Sequence, residues 1–214
     1  MTQNPPDAML LIAPGCAHCP LVLEGLTRLL KNGKLGRLEV VNIMVHPEIG
    51  RQVGTRSVPW CRIGPFELEG AQSSTALSKW TEHAAAGTGL SEYYAHLLET
   101  QRPHRVAELI TRQPDSFDGL LGLLEDSDTP MTVRIGIGVV LEDLQNNPLL
   151  LHALPVLTRL ADSAAANVRA DAAHYLGLTR APEAAVVLER LLTDENPDVR
   201  EIAAESIDQL APAD

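Results

Sequence analysis

Short apolar runs and stretches of helical spacing alternate through the first ninety residues. Met9-Leu10-Leu11-Ile12-Ala13 is a continuous apolar run stopped by Pro14-Gly15, which predicts a buried strand over 9–13. Apolar residues then recur at helical intervals from Leu21 to Leu30 and end before Gly33, predicting a helix over 19–32. Leu38 to Val45 is apolar and β-branched and predicts a second strand. His46-Pro47-Glu48 opens a short helix that stops near Gly54. Residues 60–63 and 66–69 form a hairpin across Gly64-Pro65, with Glu67 and Glu69 alternating on the solvated face of an edge strand. Ser73 or Ser74 caps a helix to about Ala86, with Trp80 on its packing face. The order βαβα then ββα predicts an α/β sandwich in residues 1–87, with a boundary in Ala84-Ala85-Ala86-Gly87-Thr88-Gly89.

Beyond that boundary the pattern is helical and repetitive. Asp128-Thr129-Pro130-Met131-Thr132-Val133-Arg134, Asp162 through Asn167-Val168-Arg169, and Asp194-Glu195-Asn196-Pro197-Asp198-Val199-Arg200 align with one another. Each Val-Arg opens an amphipathic helix, and a Leu-rich helix precedes each. The Val-to-Val spacings are 35 and 31 residues, a period that predicts an α-solenoid over 88–214. The helix pairs fall at about 114–145, 149–180 and 182–211. Residues 90–113, with Pro103 between two helical stretches, form a degenerate capping pair. The Asp, then Val-Arg signature resembles HEAT repeats, and the short period is similar to their short bacterial variety. That resemblance implies that the aspartate and arginine sit in the turns and bond between repeats, which makes Arg134, Arg169 and Arg200 a structural ladder. The fold class is thus mixed, α+β followed by all-α.

Composition agrees with two ordinary domains or one large one. The chain has 214 residues, of which 45% are hydrophobic and 21% charged, enough for a sizeable core. Only 3% are aromatic, which suits helices packed by aliphatic side chains. The net charge of −11 is uneven. Residues 1–87 carry eight Lys or Arg against seven Asp or Glu; residues 88–214 carry nine against twenty-one. The acidic half argues against nucleic acid and anionic membrane as partners and favours a basic protein surface or plain solubility. Met1 to Asp7 lacks a basic leader region, and no apolar run approaches the roughly 18 residues that span a bilayer. The expected compartment is the cytoplasm, where disulfides are usually transient and catalytic.

The candidate chemistry lies in Cys16-Ala17-His18-Cys19-Pro20, where the first strand ends and the first helix begins. Helix N-terminal amides stabilise an anion, so a thiol there ionises readily. The two-residue gap lets one thiol turn back on the other and resolve a mixed disulfide. Cys16 is read as the exposed attacking thiolate and Cys19 as the buried resolving thiol. His18 is either an exposed residue without a role or, as a cation, a stabiliser of the thiolate. A reading as half a zinc site needs two more ligands; no second CxxC exists, and only Cys61 with His18 or His46 could supply them. His83, His96, His104, His152 and His174 form no ligand spacing. There is no glycine-rich phosphate loop, Ser-His-Asp set or catalytic carboxylate pair, and disulfide exchange needs no bound cofactor and no metal.

Gly54-Thr55-Arg56-Ser57-Val58-Pro59-Trp60 leads into Cys61-Arg62-Ile63 about forty residues after the cysteine pair. A CxxC at a helix start with a later Val-Pro opening a strand resembles the thioredoxin fold over residues 8 to about 87. Cys19-Pro20-Leu21 and Arg56-Ser57-Val58-Pro59 resemble its glutaredoxin-like CxxCP branch. Examples are the archaeal protein disulfide oxidoreductases and the amino-terminal module of the flavoprotein that reduces peroxiredoxins. The resemblance implies that Pro59 is cis beside the CxxC and that the Val58 backbone pairs with an incoming substrate strand. Trp60 would pack around the site or shape the substrate groove. Cys61 is either a small buried hydrophobe or a third redox thiol. Three thioredoxin features differ in this chain: Gly15 precedes the first cysteine, Ala17-His18 separates the pair, and the strand below holds no acid. The implied activity is thiol–disulfide exchange on a protein partner docked by the repeats, with a thiol or disulfide reductant as second partner. Two other readings stay open. One is a HEAT-type adaptor with a redox-sensing or binding module, the other a persulfide carrier that uses Cys16.

Overall fold

The computed structural model describes residues 4–210, so the first residues of the stretch inspected for a leader, and residue 211 at the end of the third expected helix pair, lie outside it. The chain divides into two units between Gly89 and Leu90.

The continuous apolar run near the start becomes a central strand. β1 (Ala8–Ile12) pairs in parallel with β2 (Leu38–Asn42) and antiparallel with β3 (Trp60–Ile63), which pairs antiparallel with β4 (Phe66–Glu69), so the sheet order is β2-β1-β3-β4. A strand flanked on both sides has apolar residues on both faces. Leu11 joins Val41 and Trp60 in one cluster, closed by Met9, Ile43, Val58 and by Ile49 and Val53 of α2 (Pro47–Val53). The alternate positions Leu10, Cys61 and Leu68 are buried as fully. Helix α1 (Cys19–Lys31) buries Cys19, Val22, Gly25, Leu26 and Leu29, the i, i+3, i+4 stripe of its sequence. It meets α3 (Ser74–Ala86) closely at Gly25, where an added Cβ would lie 2.6 Å from Leu77 Cδ1. Ser73 caps α3, its Oγ accepting the Ala76 N–H at 3.1 Å.

β2 stops at Asn42 and does not run on to Val45. The Asn42 side-chain oxygen accepts the Met44 N–H at 3.0 Å, and its carbonyl accepts the N–H groups of Val45 and His46. This local bonding outcompetes the ladder, as short polar side chains do. Ile43-Met44-Val45 therefore forms a turn, despite its strand-like composition, that leaves Met44 and Val45 exposed.

The second unit is a series of helix pairs. α4 (Leu90–Glu99) and α5 (Pro103–Arg112) come first, with Pro103 in the first turn of α5. α6 (Phe117–Glu125) and α7 (Met131–Asp143), α8 (Leu154–Leu160) and α9 (Ala166–Thr179), and α10 (Ala184–Leu191) and α11 (Pro197–Leu210) follow. The motif valines hold the same place in each pair: Val133, Val168 and Val199 are at most 1% exposed. Of the three Val-Arg helices, α11 is amphipathic as expected, burying Val199, Ala203 and Ser206 with Glu201, Glu205 and Asp208 in solvent, whereas α7 and α9 are less so. α7 is apolar on nearly every side, with Met131 and Ile135 left in solvent.

The arginines bond in two directions. Arg134 donates to the Asp126 carbonyl of its own turn, and Arg169 to the carbonyls of Ser163 and Ala164. Arg200 donates to the carbonyls of Asp194 and Glu195. Each of the first two also reaches the next pair. Arg169 holds Asp194 through two bonds of 2.8 Å, a planar fork on a carboxylate. Arg134 pairs with Asp171, which lies inside α9 and not in the turn the HEAT resemblance implies. The turn aspartate Asp162 instead meets Arg190 of α10, and Glu125 meets Arg159 of α8, so a second row of bridges links the Leu-rich helices. Hydrogen bonds from Arg169 hold the Asp194 carboxyl below its usual range. Burial pushes the Asp171 carboxyl up, against the pull of Arg134.

Candidate functional site

The connection after β1 builds the site. Ala13 leaves the strand, Pro14-Gly15 makes a turn with Gly15 at φ +79°, and the Cys16 N–H bonds back to the Ala13 carbonyl. Only glycine adopts that backbone without strain. Cys16 and Cys19 form a disulfide with their Cα atoms 5.5 Å apart. Cys19 opens α1, and its backbone N–H points at Cys16 Sγ at 3.1 Å. His18 is the N-cap residue but caps with no side-chain bond, and Pro20 removes one amide of the first turn. The helix N-terminal field and the Cys19 amide are therefore directed at the Cys16 sulfur. Cys19 is buried at 6% exposure, Cys16 is half-buried and His18 is exposed.

The second segment reaches the same end of the sheet. Trp60 stands opposite Leu11 in the β1–β3 register, so the residues before Trp60 adjoin those that follow Leu11. The Val58–Pro59 peptide is cis, as the resemblance implies. Pro59 is buried and its carbonyl accepts the Gly70 N–H at 2.9 Å. Thr55 Oγ1 accepts the Ser57 N–H and steadies the loop between α2 and Pro59. The Val58 backbone makes no hydrogen bond to another described residue.

Two supporting residues are core. Trp60 is 1% exposed and lies in the cluster under the sheet, so it buttresses the site and does not form a groove wall. Cys61 is 1% exposed, opposite Leu10, and burial pushes its thiol up to about 12, so it is protonated at neutral pH. Among the described residues no group of His, Cys, Asp and Glu could hold a metal ion, and no helix is long and apolar enough to cross a membrane. Sequence reasoning missed a cavity of about 330 Å³ formed by Ile43, Pro47, Gly50, Arg51, Thr55 and Arg56. Its two arginines lie five residues apart on either side of a helix end, and no periodic pattern marks them.

Residues 117–208 match the family model of HEAT repeats, a span that starts with α6 and ends within α11. No curated protein matches the chain.

Proposed function

We propose that the chain is a thiol–disulfide oxidoreductase, with a thioredoxin-like first unit and a HEAT-type second unit that docks a protein partner. One observation carries this reading: the Cys16–Cys19 disulfide at a strand-to-helix junction, with the less buried sulfur facing a helix N-terminal amide. The sheet order, the paired directions of its strands and the cis Val58–Pro59 bond support the thioredoxin-like assignment. In the reduced protein, the Cys16 thiolate attacks one sulfur of a substrate disulfide. That S–S bond breaks, the attacked sulfur becomes part of a mixed disulfide with Cys16, and the other substrate sulfur leaves as a thiolate that takes a proton. Cys19 then gives up its proton and attacks Cys16 Sγ. The substrate sulfur held by Cys16 is released as a thiolate that takes up a proton, and the Cys16–Cys19 disulfide closes. Two electrons pass to the substrate, and an external dithiol returns them. The unpaired Val58 backbone offers a place for the substrate chain to add as a strand.

The test is the reduction potential of the Cys16–Cys19 pair, together with Cys19→Ser, which stops the reaction at the mixed disulfide. A covalent partner released by dithiothreitol is the expected result. No adduct with Cys19→Ser, or an adduct that persists when Cys16→Ser is added, would leave the second reading: a HEAT-type adaptor whose thiol pair acts as a sensor, which the repeat match alone favours.

A further inference from the structure

The second helices of the three pairs expose very different chemistry at equivalent positions. Aligned on Val133, Val168 and Val199, the solvent-facing positions of α7 are Met131, Ile135 and Val139. Met131 is 70% and Ile135 62% exposed, and Val139 is partly exposed. The same positions of α9 hold Ala166, Ala170 and His174, all partly exposed. In α11 they hold Pro197, Glu201 and Glu205, and Asp208 continues the same face one turn on. Glu201, Glu205 and Asp208 are exposed, and none pairs with a basic group among the described residues. α9 lies between the two outer helices. Tyr175 Oη donates to the Arg134 carbonyl of α7, and Gly177 sits against Ser206 of α11.

An apolar stripe in water costs α7 the burial free energy that each of its large side chains would otherwise contribute. Ala166 and Ala170 form a low floor beside it with His174 at one end, and the far side is a row of uncompensated carboxylates. We infer that the face of α7, α9 and α11 docks a partner segment with an apolar anchor at one end and a Lys/Arg cluster at the other. The anchor lies on Met131, Ile135 and Val139, and the basic cluster on Glu201, Glu205 and Asp208. Neighbouring helix axes lie roughly 8–10 Å apart, so the two ends are separated by about 16–20 Å. That separation is about six residues of extended chain or about twelve of helix. The proposal deepens the docking role assigned to the second unit and does not depend on thiol chemistry.

The test uses the full chain with Cys16→Ser and Cys19→Ser, so that only docking is measured. The probe is a labelled helical peptide with leucines at one end and lysines about twelve residues away, read by fluorescence anisotropy. Saturable binding that weakens with salt is expected. Glu201→Lys/Glu205→Lys/Asp208→Lys should weaken it about tenfold or more, and Ile135→Glu comparably. Asp118→Lys/Glu183→Lys/Glu189→Lys, on or just before the Leu-rich helices and with the same change in net charge, should leave it within about twofold. Equal loss from both triple variants would mean unspecific attraction to an acidic unit and would overturn the proposal. So would unchanged binding by a peptide with serines for its leucines, an arm that needs no variant protein. Self-association abolished by Ile135→Glu would assign the face to a second copy of the chain instead.

Discussion

At the scale of single residues, burial separates the three thiols and decides the open reading of Cys61. Cys61 is sealed between neighbouring strands, and its thiol, raised to about 12, has almost no thiolate at neutral pH. In the reduced protein Cys16 should therefore alkylate first, Cys19 more slowly, and Cys61 only on unfolding. Mass spectrometry of iodoacetamide-treated protein across pH reads that order, and early labelling of Cys19 or Cys61 would move the attacking role away from Cys16. Charge pairs divide in the same way. The Arg169 side chain is 9% exposed and satisfies two carbonyls and the carboxylates of Asp194 and Glu195, so Arg169→Ala should cost about 3 kcal/mol, because it strands buried acceptors and Asp194. Arg200, which among the described residues bonds only the carbonyls of its own turn, should cost less when replaced by Ala; thermal melts of the two variants give the comparison. Asp194 also sets a pH dependence. Its carboxyl titrates lower folded than unfolded, so its contribution is complete above the unfolded value near 4 and is lost as pH falls through the folded one. Asp194→Asn should therefore flatten the acid limb of the melting profile below about pH 4. A limb of unchanged steepness would mean that other carboxylates govern it.

At the scale of elements, steric detail decides what periodicity leaves open. A Cβ on Gly177 would lie 2.8 Å from Ser206 Cβ and 3.1 Å from its Cα, so the obstacle includes backbone. Gly177→Ala should push α9 off α11 and destabilise the fold by about 1–3 kcal/mol. Gly122 in α6 has nothing within 4 Å of the same added atom and is exposed, so Gly122→Ala should stabilise by about 0.5–1 kcal/mol. Opposite shifts in melting temperature are the expected readout. The sequence carries neither distinction, since both residues are glycines within helical patterns. What it does carry is the alternation of runs and breaks. The hairpin across Gly64-Pro65, the Ser73 cap and the stop at Gly54 are legible because each rests on the chemistry of one or two adjacent residues. The end of β2 is not legible, because three apolar residues favour extension while the side chain and carbonyl of Asn42 close a turn over them. The candidate site divides similarly. The Cys16–Cys19 junction is local and visible in the sequence. That Trp60 faces inward depends on the register of β3 against β1, and its own composition does not reveal it.

At the scale of the whole molecule, the unit ending at Gly89 holds its own sheet, helices α1 to α3 and all three cysteines. A fragment of residues 1–89 should fold and exchange a small disulfide within about twofold of the full chain, and lose rate only on a protein partner that the second unit holds near the thiols. Loss of the small-molecule reaction in the fragment would mean that the helical unit completes the site.

The arginine bridges have a mechanical consequence within the second unit. Arg169 holds a turn aspartate, and α9 and α11 lie against each other through the close approach of Gly177 and Ser206. Arg134 reaches into the body of α9, and α7 touches α9 far less extensively. The array thus has one stiff joint and one compliant joint. Amides from α8 to α11 should open together as one cooperative block in hydrogen exchange, while the seam between α7 and α9 yields first under heat or load. A partner spread from α7 to α11 would bridge that seam and act as a splint, raising protection in α7 without touching most of its amides.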